Sequence, residues 1–243
     1  MKHALKYSLA ALALLGAMGL NATACAADSA NQAELRRILP RVSPQIALVA
    51  ETAQLSFDSW KLVLANEKNP LPEGFSVEVS KLPNGKEFDS RAIGELKAML
   101  AAAKADGVSL TVVSSYRSYD YQVGLFNRKV NQYKAKGYND TDAYNIAKTI
   151  VALPGTSEHN LGLAADIVTP SYMTLDEGFE KTEAFAWLST HCAEYGFILR
   201  YPNGKGDITG IIYEPWHYRY VGQAAAKQIM EQGICLEEYL DRT

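Results

Sequence analysis

Apolar positions change period along this chain, and each change marks an element. In 90–105, Ile93, Leu96 and Leu100 recur at helical spacing, with Asp89 as the expected N-cap and Asp106-Gly107 as the stop. The β-rich run 110–113 reads as a strand. Ser118 then caps a helix expected over 119–136, whose Gln122, Leu125, Phe126 and Lys129 share one face. A further helix opens at Asp140 or Thr141 and runs to Ala152, halted by Pro154-Gly155. Residues 163–168 are apolar except for Asp166, the pattern of a buried strand carrying one acid. Phe185, Leu188 and Cys192 form the inner stripe of a helix over 179–195 that ends at Gly196, and 197–201 is a strand. In the turn that follows, Lys205 and Asp207 are expected in solvent. The block 211–221 is a strand interrupted at Pro215; 223–231 is a helix closed by Gly233, and 235–240 is a short tail. Upstream, Phe57, Trp60 and Leu64 have helical spacing, followed by an extended passage through Pro70 and Pro72.

With 243 residues and 48% hydrophobic content, the chain is long enough for one sizeable core plus an extension. Its formal net charge of −3 argues against nonspecific nucleic-acid binding. The first 27 residues have the three-part layout of a secretory signal peptide. Lys2, His3 and Lys6 precede an apolar run over 8–20 that is too short to span a bilayer, and Ala22, Ala24, Ala26 and Ala27 follow. The expected product is an exported protein, extracellular, periplasmic or associated with the cell wall. Ala22-Thr23-Ala24-Cys25 also resembles a bacterial lipobox, so a lipid on Cys25 is the one membrane attachment left open. Residues 28–56, interrupted by Pro40 and Pro44, read as a spacer with a short helix over 32–39, and 57–243 as the functional domain. In an oxidising compartment Cys192 and Cys235 are candidates for one intrachain disulfide, worth about 2 to 4 kcal/mol if unstrained; two buried thiols are the alternative.

The chemistry concentrates in TSEHNLGLAADIV, 156–168, and YEPWHY, 213–218. Gly162 lets the chain turn back so that His159 and Asp166 can converge, and His217 supplies a third donor. A His/Asp/His set suits one zinc ion and leaves a fourth position open for water, as catalytic zinc requires. Glu214 would be the base that deprotonates that water. The familiar HExxH string is absent, and spacing alone leaves structural roles open for each of these residues. His191, on a helix, reads as a half-exposed residue rather than a ligand.

SSYRSYDYQ at 114–122, PGTSEHNLGLAADI at 154–167, YGFILRYP at 195–202 and TGIIYEPWHYRYVG at 209–222 together resemble the zinc D-alanyl-D-alanine carboxypeptidases of the VanY kind. That superfamily also includes lysostaphin-like endopeptidases and the hedgehog signalling domain. The resemblance implies an α+β fold in which a small antiparallel sheet carries a zinc site and helices pack on its outer side. It implies hydrolysis of the C-terminal D-alanine from peptidoglycan stem peptides. Arg117 would receive the oxyanion of the tetrahedral intermediate, and Gln122 would hold the substrate's terminal carboxylate. Ser157 would bond that carboxylate or a metal ligand, while strand parity points Glu158 away from His159 to the surface. An L,D-carboxypeptidase acting on tetrapeptide stems and a non-catalytic, zinc-bearing wall-binding module remain as alternatives. A purely structural ion needs neither Glu214 nor Arg117, which favours an enzyme.

Overall fold

The computed structural model describes residues 59–242. The expected signal peptide, the lipid site at Cys25 and the spacer helix over 32–39 all lie outside the described residues.

The frame is a four-stranded antiparallel sheet of β3 (Thr111–Ser114), β4 (Ala164–Val168), β5 (Phe197–Leu199) and β6 (His217–Tyr220), in the order β3-β4-β6-β5. A separate two-stranded ribbon pairs β1 (Val79–Lys81) with β2 (Glu87–Asp89). In the central sheet Asp166 lies opposite Ser114 on one side and opposite His217 on the other. Because strand side chains alternate, this register commits Asp166, His217 and Arg219 to one face and Ala165, Ile167, Tyr218 and Tyr220 to the other. The second face is the main core. Leu96, Met99 and Ala103 of helix α1 (Ile93–Ala105) pack there with Phe179, Leu188, Cys192 and Phe197. A smaller cluster joins Ile198 of β5 to Ala226 and Ile229 of the closing helix, Gln223–Gln232. The α+β class and the antiparallel sheet are those the resemblance implies.

The helices α2 (Tyr119–Ala135) and α3 (Asp140–Lys148) pack together beside the sheet, Ser118 capping the first by accepting from the Tyr121 amide. Several elements differ from the sequence reading. Asp89 is no N-cap: it ends β2, and its carboxylate binds the backbone and guanidinium of Arg91, so α1 starts only at Ile93. Helix α3 is capped by Asn139 and stops at Lys148 rather than reaching Ala152. The single helix expected over 179–195 is three pieces, because the Thr182 hydroxyl accepts from the Phe185 amide and opens a new helix, α4 (Glu183–His191), between two 3₁₀ turns. Near Trp60 only the 3₁₀ turn Ser59–Leu62 forms. Lys205 is not free in solvent but pairs with Glu238 at 2.9 Å.

The expected disulfide is absent: Cys192 and Cys235 are both free and buried. Cys192 belongs to the main core, whereas Cys235 precedes the last helix, Leu236–Leu240, where its amide donates to Glu238 Oε2 at 2.9 Å. The two thiols serve different packing layers, and burial pushes them up to about 12 and about 11, which leaves both unreactive.

Two arginines clamp the polar face of the sheet. Arg200 and Arg219 are fully buried, and each donates to Glu158 Oε1, at 2.7 and 2.8 Å. Arg200 also forks onto both oxygens of Glu237 in the last helix, at 2.8 and 2.7 Å. Arg219 reaches back to the carbonyls of Lys61 and Val63, both at 2.9 Å. One network thus ties the start of the described chain, two strands and the C-terminal helix together. Removing one partner from such a buried set strands the others without compensation. Arg200→Ala is therefore expected to lower stability by about 3 to 5 kcal/mol, read as a fall in the urea midpoint; a shift below about 1 kcal/mol would show the network to be expendable.

Candidate active site

His159, Asp166 and His217 are all buried, and one donor atom from each lies within 4.8 Å of the others. Their local structures differ. Asp166 and His217 are cross-strand partners on β4 and β6. His159 sits in a run of turns closed by Asn160 N to Ser157 O, Leu161 N to Glu158 O and Gly162 N to His159 O. Gly162 ends that run at φ 71°, and a Cβ there would meet the Asp89 amide at 3.2 Å, so the return of the chain to β4 depends on this glycine.

Two of the three donors have their other atom already held. His159 Nδ1 lies 2.6 Å from the Ser115 carbonyl and donates to it, which turns Nε2 inward, 3.4 Å from Asp166 Oδ1. Asp166 Oδ2 accepts from Arg117 at 2.8 Å, leaving Oδ1 buried with no hydrogen-bond partner among the described residues. His217 Nδ1 lies 3.2 Å from that oxygen, while its Nε2 faces Glu158 Oε2 at 3.7 Å. A tetrahedral ion with bonds of about 2.0 to 2.1 Å separates its ligand atoms by about 3.3 Å. The inward atoms therefore have the type and spacing that zinc requires, and Asp166 Oδ1 lacks a partner that an ion would supply.

Electrostatics follow from burial and neighbours. Burial, with Arg117 beside it, lowers His159 to about 4, so its ring is neutral. Burial opposes ionisation of Asp166, but His159, His217 and Arg117 outweigh it and hold the carboxyl well below its usual range. Burial also disfavours a charged His217, yet Asp166 and Glu158 raise it to about 9. Glu214 is pushed up to about 8, chiefly by burial. The turn at Pro215-Trp216, closed by His217 N to Glu214 O at 3.1 Å, sets Glu214 Oε2 at 3.5 Å from His217 Nδ1. That is the interruption expected at Pro215.

These groups open into a cavity of about 210 Å³, lined also by Arg117, Ser157, Trp216 and Tyr201. Arg117 is braced: Nε donates to Ser114 Oγ at 3.0 Å, and a terminal nitrogen holds Asp166. The Ser157 hydroxyl accepts from the His159 amide at 3.3 Å. Gln122 stands apart from the cavity wall. It is fully buried, donates to the Ala152 carbonyl at 2.8 Å and turns its oxygen toward Arg117 at 3.5 Å, a brace rather than a hand for substrate. His191 pairs with Glu194 at the surface, away from the cluster.

Glu158 is where the sequence reading goes wrong. It is not a surface residue: its side chain is wholly buried between Arg200 and Arg219, which overcome the cost of burial and hold it well below the normal carboxylate range. Strand parity does not apply because residues 157–162 form successive turns. Two arginines at 200 and 219, next to one buried strand and within another, were the available signal that a buried anion was needed.

Comparisons with known proteins identify the family. A family model described as VanY, D-alanyl-D-alanine carboxypeptidase, matches residues 85–223. The chain is 47% identical over 184 residues to a D-alanyl-D-alanine carboxypeptidase of Enterococcus faecalis, a match covering 75% of this chain and 66% of that protein. The fold is similar to the solved structure of a mutant D,D-pentapeptidase VanY from a VanB-type resistance cassette with Zn(II), at 46% identity and TM-score 0.68, covering 74% of this chain and 99% of the other. It is similar also to VanYB in complex with D-alanine-D-alanine, at 46% identity and TM-score 0.69, with 75% and 98% covered.

Glu158 Oε2 and His217 Nε2, both buried and without a hydrogen-bond partner among the described residues, face each other at 3.7 Å behind the ring, where a carboxylate that closes on a ligating histidine would raise its donor strength. Glu158→Gln is expected to weaken zinc binding about 10- to 100-fold, measured by competition with a chromophoric chelator. Unaltered affinity in a folded variant would remove Glu158 from that role.

Proposed function

The chain belongs to the VanY family of D-alanyl-D-alanine carboxypeptidases, and from that premise we propose that it removes the C-terminal D-alanine from peptidoglycan stem peptides as a zinc D,D-carboxypeptidase. The observation that carries the reading is the convergence of three inward donor atoms, His159 Nε2, Asp166 Oδ1 and His217 Nδ1, beside a protected carboxyl on Glu214. A relative solved with D-alanine-D-alanine at 46% identity supports the substrate class.

In this proposal His159, Asp166 and His217 hold one zinc ion. When bound, the ion supplies a Lewis acid that acidifies water and polarises a carbonyl. Glu214 Oε2, which a neighbouring divalent cation would favour in its ionised form against the effect of burial, would accept the proton of the attacking water and return it to the leaving amine. Its place in a buried wall keeps bulk water from competing for that proton. The guanidinium of Arg117, fixed by Ser114 and Asp166, faces the negative charge that develops on the carbonyl oxygen, and its rigidity means little reorganisation is needed as that charge forms. Ser157 offers a hydroxyl to the substrate from the cavity wall. Gln122 acts through Arg117.

The proposal extends to organisation and compartment. Residues 1–27 are a signal peptide, 28–56 a spacer, and 57–243 the peptidase domain of an exported protein, where a stem peptide is accessible.

Zinc-loaded protein is expected to convert a pentapeptide stem to a tetrapeptide, followed by mass, and to stop when a chelator removes the metal. Glu214→Ala should keep its zinc and lose about 10²- to 10⁴-fold in rate, whereas His217→Ala should purify without zinc. Full activity in Glu214→Ala, or undiminished zinc in His217→Ala, would refute the corresponding role.

A further inference from the structure

We infer that Lys129 is the residue that receives the free α-carboxylate of the substrate, and so makes the site act at a chain end. This rests on the carboxypeptidase reading above and specifies how that site selects its substrate.

An exopeptidase of this kind must hold one anion, the terminal carboxylate, while it hydrolyses the neighbouring amide. The cavity wall has two permanent cations, Arg117 and Lys129. Arg117 is already engaged, with its Nε on Ser114 and a terminal nitrogen on the Asp166 carboxylate. Gln122 does not reach the cavity, since its amide is spent on Ala152 and its oxygen turns to Arg117. Lys129 differs from both. It is half-buried in the wall, and among the described residues no carboxylate lies within ion-pairing distance of it, whereas Lys134 and Lys148 each pair with a surface carboxylate.

Its position follows from helix geometry. Lys129 lies one turn beyond Leu125 on the same face of α2, and Leu125 also lines the cavity. The helix therefore brings an apolar side chain and then an ammonium to the wall opposite the sheet. Ile150, Val151 and Ile211 complete an apolar lining that suits a small aliphatic side chain such as a methyl. Lys129 and Glu214 line the same cavity, so the ammonium faces the space in which the substrate must lie. A substrate carboxylate there would neutralise the one uncompensated cation of the cavity.

The test compares an N-acetylated peptide ending in D-alanyl-D-alanine with the same peptide carrying a C-terminal amide. Lys129→Met keeps most of the side chain's bulk and removes the charge. It is expected to lower kcat/KM for the free acid about 10- to 100-fold, mainly through KM, with zinc content unchanged. The ratio of free acid to amide should collapse toward unity, and Lys129→Arg should restore most of it. An unchanged ratio in Lys129→Met overturns the proposal, as does an equal loss on both peptides, which would mean that the lysine acts only by tuning Glu214. Failure of the unaltered zinc-loaded protein to release D-alanine from the free acid would instead overturn the carboxypeptidase reading, and the assignment of Lys129 with it.

Discussion

The antiparallel register of β4 against β6 is the constraint on which the site depends. Pairing Asp166 with His217 fixes two of the three inward donors on one face of a sheet, and the strands on either side lock that pair in place. A slip by one residue would exchange Asp166 for Ala165 or Ile167 and His217 for Tyr218, burying two polar groups in the main core. The apolar face therefore enforces the polar one. Phe197, Tyr218, Ala165 and Ile167 have no alternative position that keeps them from water.

Polar satisfaction then decides which atoms remain available. Ser115 takes the outer nitrogen of His159 and Arg117 takes the outer oxygen of Asp166, while Glu158 Oε2 faces the outer nitrogen of His217 at 3.7 Å without a hydrogen bond. Such division removes rotamer freedom from the inward atoms before any ion arrives. It also separates the ring charges, because Arg117 and burial keep His159 neutral whereas Asp166 and Glu158 favour the charged form of His217. A divalent cation held at His217 Nδ1 would take the place of that proton, so metal binding would be linked to proton loss at His217.

Glu158 links the site to global stability. Its first oxygen serves two buried arginines, and its second faces a candidate ligand. Through Arg200 and Arg219 the last helix and the segment around Lys61 and Val63 share in holding it. Distant parts of the chain thus meet behind a single imidazole, and the cost of burying so many charges is offset only because each has a hydrogen-bonded partner.

The sequence by itself determined the elements whose period was strong and the residues whose chemistry is rare: the buried strand around Asp166, the Ser118-capped helix, the closing helix, and the His159, Asp166, His217 and Glu214 set. It also required a bend at Pro215, because alternation would otherwise divide Glu214 from His217. Tertiary structure alone decided what local pattern cannot encode. Whether Glu158 is surface or core depends on arginines far along the chain, and whether Cys192 meets Cys235 depends on which packing layer each joins. Asp89 could have capped a helix, but pairing with Arg91 and the strand partner Val79 claimed it first. Gln122 kept its expected face of α2, yet turned to brace Arg117 once Ala152 was placed beside it. Periodicity reports which side of an element is apolar; only the assembled chain reports which charges that side must enclose.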